Sequence, residues 1–87
     1  MTLAEIEELR AIITLRGDPS TLERMWEALL PEAETPPRYR AKVKLMRSSP
    51  RSFSIALTSP DLSSLRASLN SFMRILIPLL AVSREGT

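Results

Sequence analysis

The stretch "RYRAKVKLMRSSPRSFSIALTS", residues 38–59, holds two runs of alternating character on either side of a Ser-Ser-Pro break at 48–50. In the first run, 38–47, Tyr39, Ala41, Val43 and Leu45 fall on one face and Arg40, Lys42, Lys44 and Met46 on the other. In the second, 51–59, Phe53, Ile55 and Leu57 share a face. Successive side chains of a strand point to opposite sides, so each run predicts a strand with one buried face. Two such runs this close predict a hairpin, and the first brings a basic outer face to it.

On the N-terminal side, "LRAIITLRG" (9–17) is rich in Ile and Leu and stops at a glycine. It predicts a strand with Leu9, Ala11, Ile13 and Leu15 inward and Arg10, Ile12, Thr14 and Arg16 outward. "DPSTLERMWEALLPEAE" (18–34) then opens a helix, with Asp18 as the cap and Pro19 in the first turn. Leu22, Met25, Trp26, Leu29 and Leu30 form one apolar stripe at helical spacing. Pro31 is expected to end the regular helix near Leu30, with "ETPPR" as a loop. After the hairpin, "SPDLSSLR" predicts a second helix, with Ser59 as the cap and Pro60 at its first position. The resulting order, β-α-β-β-α, predicts an α+β fold: a three-stranded antiparallel sheet with two helices on one face. We read one domain over 1–87, with 1–8 an N-terminal extension, 9–82 the folded unit and 83–87 a tail.

Set at about 100° per residue, the second helix divides into three sectors. Leu62, Leu65, Leu69, Phe72, Met73, Leu76 and Leu80 form the broad stripe expected on the sheet. Ser64, Ala67, Ser68, Ser71 and Ile75 lie roughly opposite. Small side chains allow close approach of another helix, so this second face is a candidate partner interface. Serines and a single isoleucine facing water give the same pattern, and the sequence leaves both readings open. Arg66, Asn70 and Arg74, spaced by four, make the polar ridge. Pro78 deprives the Arg74 carbonyl of its helical donor and is expected to kink or end the helix.

Composition narrows the function. A chain of 87 residues supports one small core, burying about 60–65% of its unfolded surface, and association supplements such a core. Cysteine and histidine are absent, which removes disulfides, thiolate nucleophiles, histidine-based triads and the usual zinc sites. Glutamine is also absent, asparagine occurs once, and arginine outnumbers lysine ten to two. We find no catalytic constellation and expect neither metal nor cofactor. Glu5, Glu7 and Glu8 are a charge cluster, and Glu23 and Glu27 lie away from their helix's apolar stripe. "GDPS" (17–20) lacks the further glycine and the Lys-Ser/Thr of a P-loop, and the second glycine of an RNA-clamping GXXG loop.

No apolar run approaches the ~20 residues of a membrane span, and the acidic start is unlike a signal peptide, so we expect a cytoplasmic protein without membrane contact. Residues 1–37 carry a net charge of −5 and residues 38–87 a net +7. Arg10, Arg16, Arg40, Lys42 and Lys44 are accordingly candidate nucleic-acid contacts, because cations on a sheet face neutralise phosphates without reading bases. A basic face that serves only solubility is the competing reading.

The residues "SLRASLNSF" (64–72), preceded by "ALTSPDLS", resemble the Leu-Arg…Asn-Ser-(Phe/Tyr) signature of the Pcc-type (polarised growth and chromatin controlling) subunit of the KEOPS complex. "ITLRGDPSTLERMWEALLPEAETPPRYRAKVKL" (13–45) is similar to that family's strand, capped helix, Pro-Glu loop and basic strand, so the likeness spans about 10–82. The resemblance implies a non-catalytic, dimerising scaffold subunit, here of archaeal type. Its partners would be itself or a paralogous subunit, the catalytic subunit of sugar-kinase/Hsp70-like ATPase fold, and tRNA within the complex. The assembly places a threonylcarbamoyl group on the adenosine beside the anticodon. Carried over by position, Leu65 and Phe72 belong to the core, and Arg66, Asn70 and Ser71 to polar contacts with a partner or tRNA. The chain departs from the family at "RILIPLL" (74–80), where Pro78 interrupts the helix. The alternative from another class is a free-standing RNA-binding module that uses the basic strand face.

Overall fold

The computed structural model describes residues 6–34 and 41–85, with side chains through Ala81. Its elements follow the predicted order: β1 (Leu9–Arg16), α1 (Pro19–Glu34), β2 (Lys42–Ser49), β3 (Ser52–Ser59) and α2 (Leu62–Glu85). The strands form one antiparallel sheet in the order β1-β3-β2. β1 and β2 are therefore parallel to each other across β3, and α1 makes the crossover between them. The second half of the hairpin occupies the gap that this crossover leaves.

Alternation places the core. Phe53, Ile55 and Leu57 of β3 are fully buried, and their register partners Leu15, Ile13 and Ala11 on β1, with Val43 and Leu45 on β2, pack around them. Leu22, Met25 and Leu29 of α1 and Phe72 and Leu76 of α2 close the layer from one side. Each such side chain contributes about 1.5–3 kcal/mol by leaving water. Ala41 is buried, whereas Tyr39 and Arg40 lie outside the described residues, as does the loop that the sequence places after Glu34.

The first helix starts as predicted. Asp18 Oδ2 accepts from the Thr21 backbone amide at 3.0 Å and from Ser20 Oγ at 2.8 Å, and Oδ1 accepts from Thr21 Oγ1 at 2.7 Å. The Gly17 amide donates to the Arg51 carbonyl at 3.1 Å, tying this helix entry to the β2–β3 turn.

Four local expectations are corrected. Helix α1 runs on to Glu34 with Pro31 inside it, and of the two expectations for Pro78 the ending is overturned, since α2 runs on to Glu85 with that proline inside it. Both prolines sit on exposed flanks, where water can reach a carbonyl that has lost its donor. The cap of α2 is Asp61, not Ser59: Asp61 Oδ1 accepts from the Ser64 amide at 2.8 Å and Oδ2 from Ser64 Oγ at 3.1 Å. Ser59 is the last residue of β3, and its hydroxyl folds the turn by bonding the Asp61 backbone. Finally, α2 lies on the sheet rotated by about 50° from the projected stripe. Ser68 is 6% exposed and Ile75 packs on the core, while Leu62 and Leu80 are 59% and 41% exposed.

Candidate functional site

Most of the described residues singled out above lie on two surfaces: the uncovered face of the sheet and the outer side of α2. Among the described residues, no group of three or more acidic side chains gathers as a metal site. No helix among them is long and apolar enough to cross a membrane.

Both helices pack on one side of the sheet, so the other side is open. The strand registers give its rows. Arg10, Thr58 and Lys42 form the first, Ile12, Ala56 and Lys44 the second, and Thr14, Ser54 and Met46 the third, with Arg16 beside Ser52 at the far end. The floor along β3 is small and hydroxyl-bearing, and the flanking strands stand about 10 Å apart, two inter-strand spacings. Thr14 Oγ1 and Ser54 Oγ are hydrogen-bonded at 3.0 Å, closing the floor at that row. Arg16, Lys42 and Lys44 thus share this face, whereas Arg40 is not among the described residues. Arg10 is partly engaged by Glu8 at 3.0 Å, an exposed pair worth under about 1 kcal/mol. Ile12, 58% exposed, and Met46, 38% exposed, bring apolar surface to the face.

The sequence reading gave no role to Arg47. Its register partner is Phe53, so it points to the covered side, where it reaches α1. Arg47 Nη1 pairs with Glu23 Oε2 at 2.6 Å, and the guanidinium lies 5.6 Å from the Trp26 ring centroid. Trp26 in turn stands edge-on to Phe53, centroids 5.5 Å apart. The basic run of β2 therefore splits by parity: Lys42 and Lys44 serve the open face, and Arg47 pins the hairpin to α1. Alternation alone contained this signal, because Arg47 shares the face of Val43 and Leu45.

On α2 the polar ridge is as expected, with Arg66, Asn70 and Arg74 all exposed. The candidate partner face is divided. Ser64, Ala67 and Ser71 are half-buried at the helix flank, and Ser71 Oγ donates to the Ala67 carbonyl at 3.1 Å. Ser68 and Ile75 are taken up by the chain's own core. Exposed apolar surface comes instead from Leu62, Leu80 and Ile77, the last 62% exposed. Helix α2 has 24 residues, about 36 Å, and runs back along strands of 8 residues, about 27 Å, so its final turns outrun the sheet.

The family of transcription factor Pcc1 matches residues 17–81, from the α1 entry to the overhanging turns of α2. The chain belongs to the Pcc1 family. Pcc1 proteins are small, non-catalytic subunits associated with the KEOPS complex and with tRNA processing. No curated protein matches the chain. The Pcc1 match includes both prolines that the helices absorb and the whole Arg66–Arg74 ridge.

Proposed function

We propose that this chain is the scaffold subunit of a KEOPS complex, associating with itself or a paralogous subunit and binding the catalytic ATPase-fold subunit. In that role it supports threonylcarbamoyl transfer to the adenosine beside the tRNA anticodon, in the cytoplasm and without a cofactor of its own. The family match over residues 17–81 carries this reading. The outer side of α2 supports it physically. Exposed Ile77 and Leu80 adjoin the ridge of Arg66, Asn70 and Arg74, an apolar patch edged by polar donors as interfaces have. Ser64, Ala67 and Ser71 flank that ridge and are small enough for a second helix to come close.

The test is co-elution with the catalytic subunit of the same cells, together with threonylcarbamoyl transfer in the reconstituted complex. Ile77→Glu, at an exposed position, is expected to weaken co-elution about tenfold or more while the helical circular dichroism is unchanged. Ser71→Arg, aimed at the small-residue flank, is expected to weaken association in light scattering. Normal co-elution and transfer by both variants would overturn this placement. Full transfer activity in the complete absence of the chain would overturn the scaffold role itself.

A further inference from the structure

The tip of the β2–β3 hairpin holds a cluster that the scaffold reading does not use. "RSSPRS" (47–52) sets Ser48 and Ser49 ahead of Pro50, with Arg47 and Arg51 on either side. β2 ends at Ser49 and β3 begins at Ser52, so Pro50 and Arg51 make the turn. Ser48, Ser49, Pro50 and Arg51 are all exposed, and the strand register slips between Arg47 and Ser49. Ser49 Oγ accepts from the Arg51 amide at 3.1 Å, and Arg47 Nε donates to the Ser49 carbonyl at 3.4 Å. Between the tip and the start of α1 lies an open cleft of about 730 Å³. Its charged residues are Glu23 and Arg47, and Ser20, Ser49 and Pro50 are among its walls. We propose that Ser49 is a phosphorylation site, with Arg47 and Arg51 holding the phosphoryl group that it receives. In the transfer, the Ser49 oxygen forms a bond to the γ-phosphorus of a nucleoside triphosphate. The bond from that phosphorus to its bridging oxygen breaks, nucleoside diphosphate leaves, and the hydroxyl proton passes to a base of the kinase.

Three features single out Ser49. Pro50 has no amide donor and keeps the residue before it extended, so the acceptor is presented on open backbone. Ser48 spends its hydroxyl proton on the Ser52 carbonyl at 3.4 Å, whereas Ser49 Oγ is the acceptor in its own bond to Arg51. A phosphate between two arginines gains charge-assisted hydrogen bonds that a hydroxyl does not make. The modification also has a local effect. Arg47 Nη1 pairs with Glu23 Oε2 at 2.6 Å, and a phosphate of about two negative charges outbids a single carboxylate for that guanidinium. Arg47 turns to the phosphate, Glu23 is released to water, and the surface beside α1 becomes acidic. The guanidinium then leaves Trp26, the only tryptophan of the chain, whose ring centroid is 5.6 Å away. The proposal does not depend on membership of the KEOPS complex.

The experiment incubates the purified full chain with an extract of its source cells and ATP labelled in the γ-phosphate, and maps the label by fragment mass. Label on Ser49 is expected, lost about tenfold or more in Ser49→Ala, which has no nucleophile, and restored in Ser49→Thr. Ser48→Ala should keep it, and circular dichroism checks the fold of each variant. A chain carrying phosphoserine in place of Ser49 supplies the second reading, by phosphorus NMR and tryptophan emission. Its phosphate should titrate below the ~6 of an unpaired phosphoserine, because nearby cations favour the dianion, and return towards that value in Arg47→Gln/Arg51→Gln. Trp26 emission should change on phosphorylation in the same direction as in Arg47→Gln alone. Absence of label on the folded chain, or label on other residues only, overturns the site. A phosphate that titrates near 6 and leaves Trp26 emission unchanged overturns the part given to the two arginines.

Discussion

Phe53, Ile55 and Leu57 leave β3 on one side and are fully buried; Ser54, Ala56 and Thr58 leave it on the other and meet no helix. One strand thus serves two purposes at a period of two residues. The large apolar side chains hold α1 and α2, and the small ones leave a shallow trough between basic walls. The difference separates stability from recognition: substitutions on the covered side should unfold the protein, and those on the open side should alter what it meets.

The hardest test of that separation is Phe53→Ala. It removes the ring at the centre of the core and the edge contact with Trp26, and is expected to cost about 3–5 kcal/mol in a denaturant melt. A loss near the level of a surface change would break the comparison. Next comes Arg47→Ala, on the covered side but at its rim. It gives up the Glu23 pair and the Trp26 face, and about 1 kcal/mol is expected, with Glu23→Ala costing less because the tryptophan contact survives.

Asp18 tests the helix entry through pH. Hydrogen bonds from Thr21 and Ser20 hold its carboxyl at about 2, below the ordinary 3.8. A depressed carboxyl stabilises the fold fully above its unfolded value, and the contribution is lost as pH falls through 3.8 towards 2. Asp18→Ala should therefore lower the melting temperature at neutral pH, and the gap to the unaltered chain should close in that acid window. A gap constant across it would refute the cap. The smallest effect is expected on the open side, where Ile12→Thr should shift stability by no more than about 0.5 kcal/mol. A larger loss would show that the open face also supports the fold.

Legibility followed the range of the interactions. Asp18-Pro19 announces a helix start because the cap and the amides it satisfies lie within four residues. Strand faces were equally readable, since alternation sends Val43 and Leu45 inward and Lys42 and Lys44 outward without knowledge of any neighbour. The entry to α2 was not readable to the residue. Ser59 and Asp61 are both good caps, and the pairing of Ser59 with Leu9 at the end of the sheet decides between them. On α2, spacing alone foretold that Arg66, Asn70 and Arg74 are exposed along one line of the helix. The assignment of Ser68 and Ile75 to a partner did not survive, because a helix can roll on a sheet until small residues face down and a leucine such as Leu62 is left outside.

The amino-acid order by itself determined the element sequence, the buried side of each strand, the cap of α1 and the Leu-Arg…Asn-Ser-Phe stretch that led to the family. These rest on contacts between residues close in the chain or on a fixed geometric period. Only the tertiary structure decided that β3 lies between β1 and β2, how α2 is rolled on the sheet, and that Pro31 and Pro78 stay within their helices. It also turned Arg47 to α1 and left Ile12 and Met46 bare. Each of these depends on which surfaces distant segments cover, and the energies of packing choose among arrangements that local pattern leaves nearly equal.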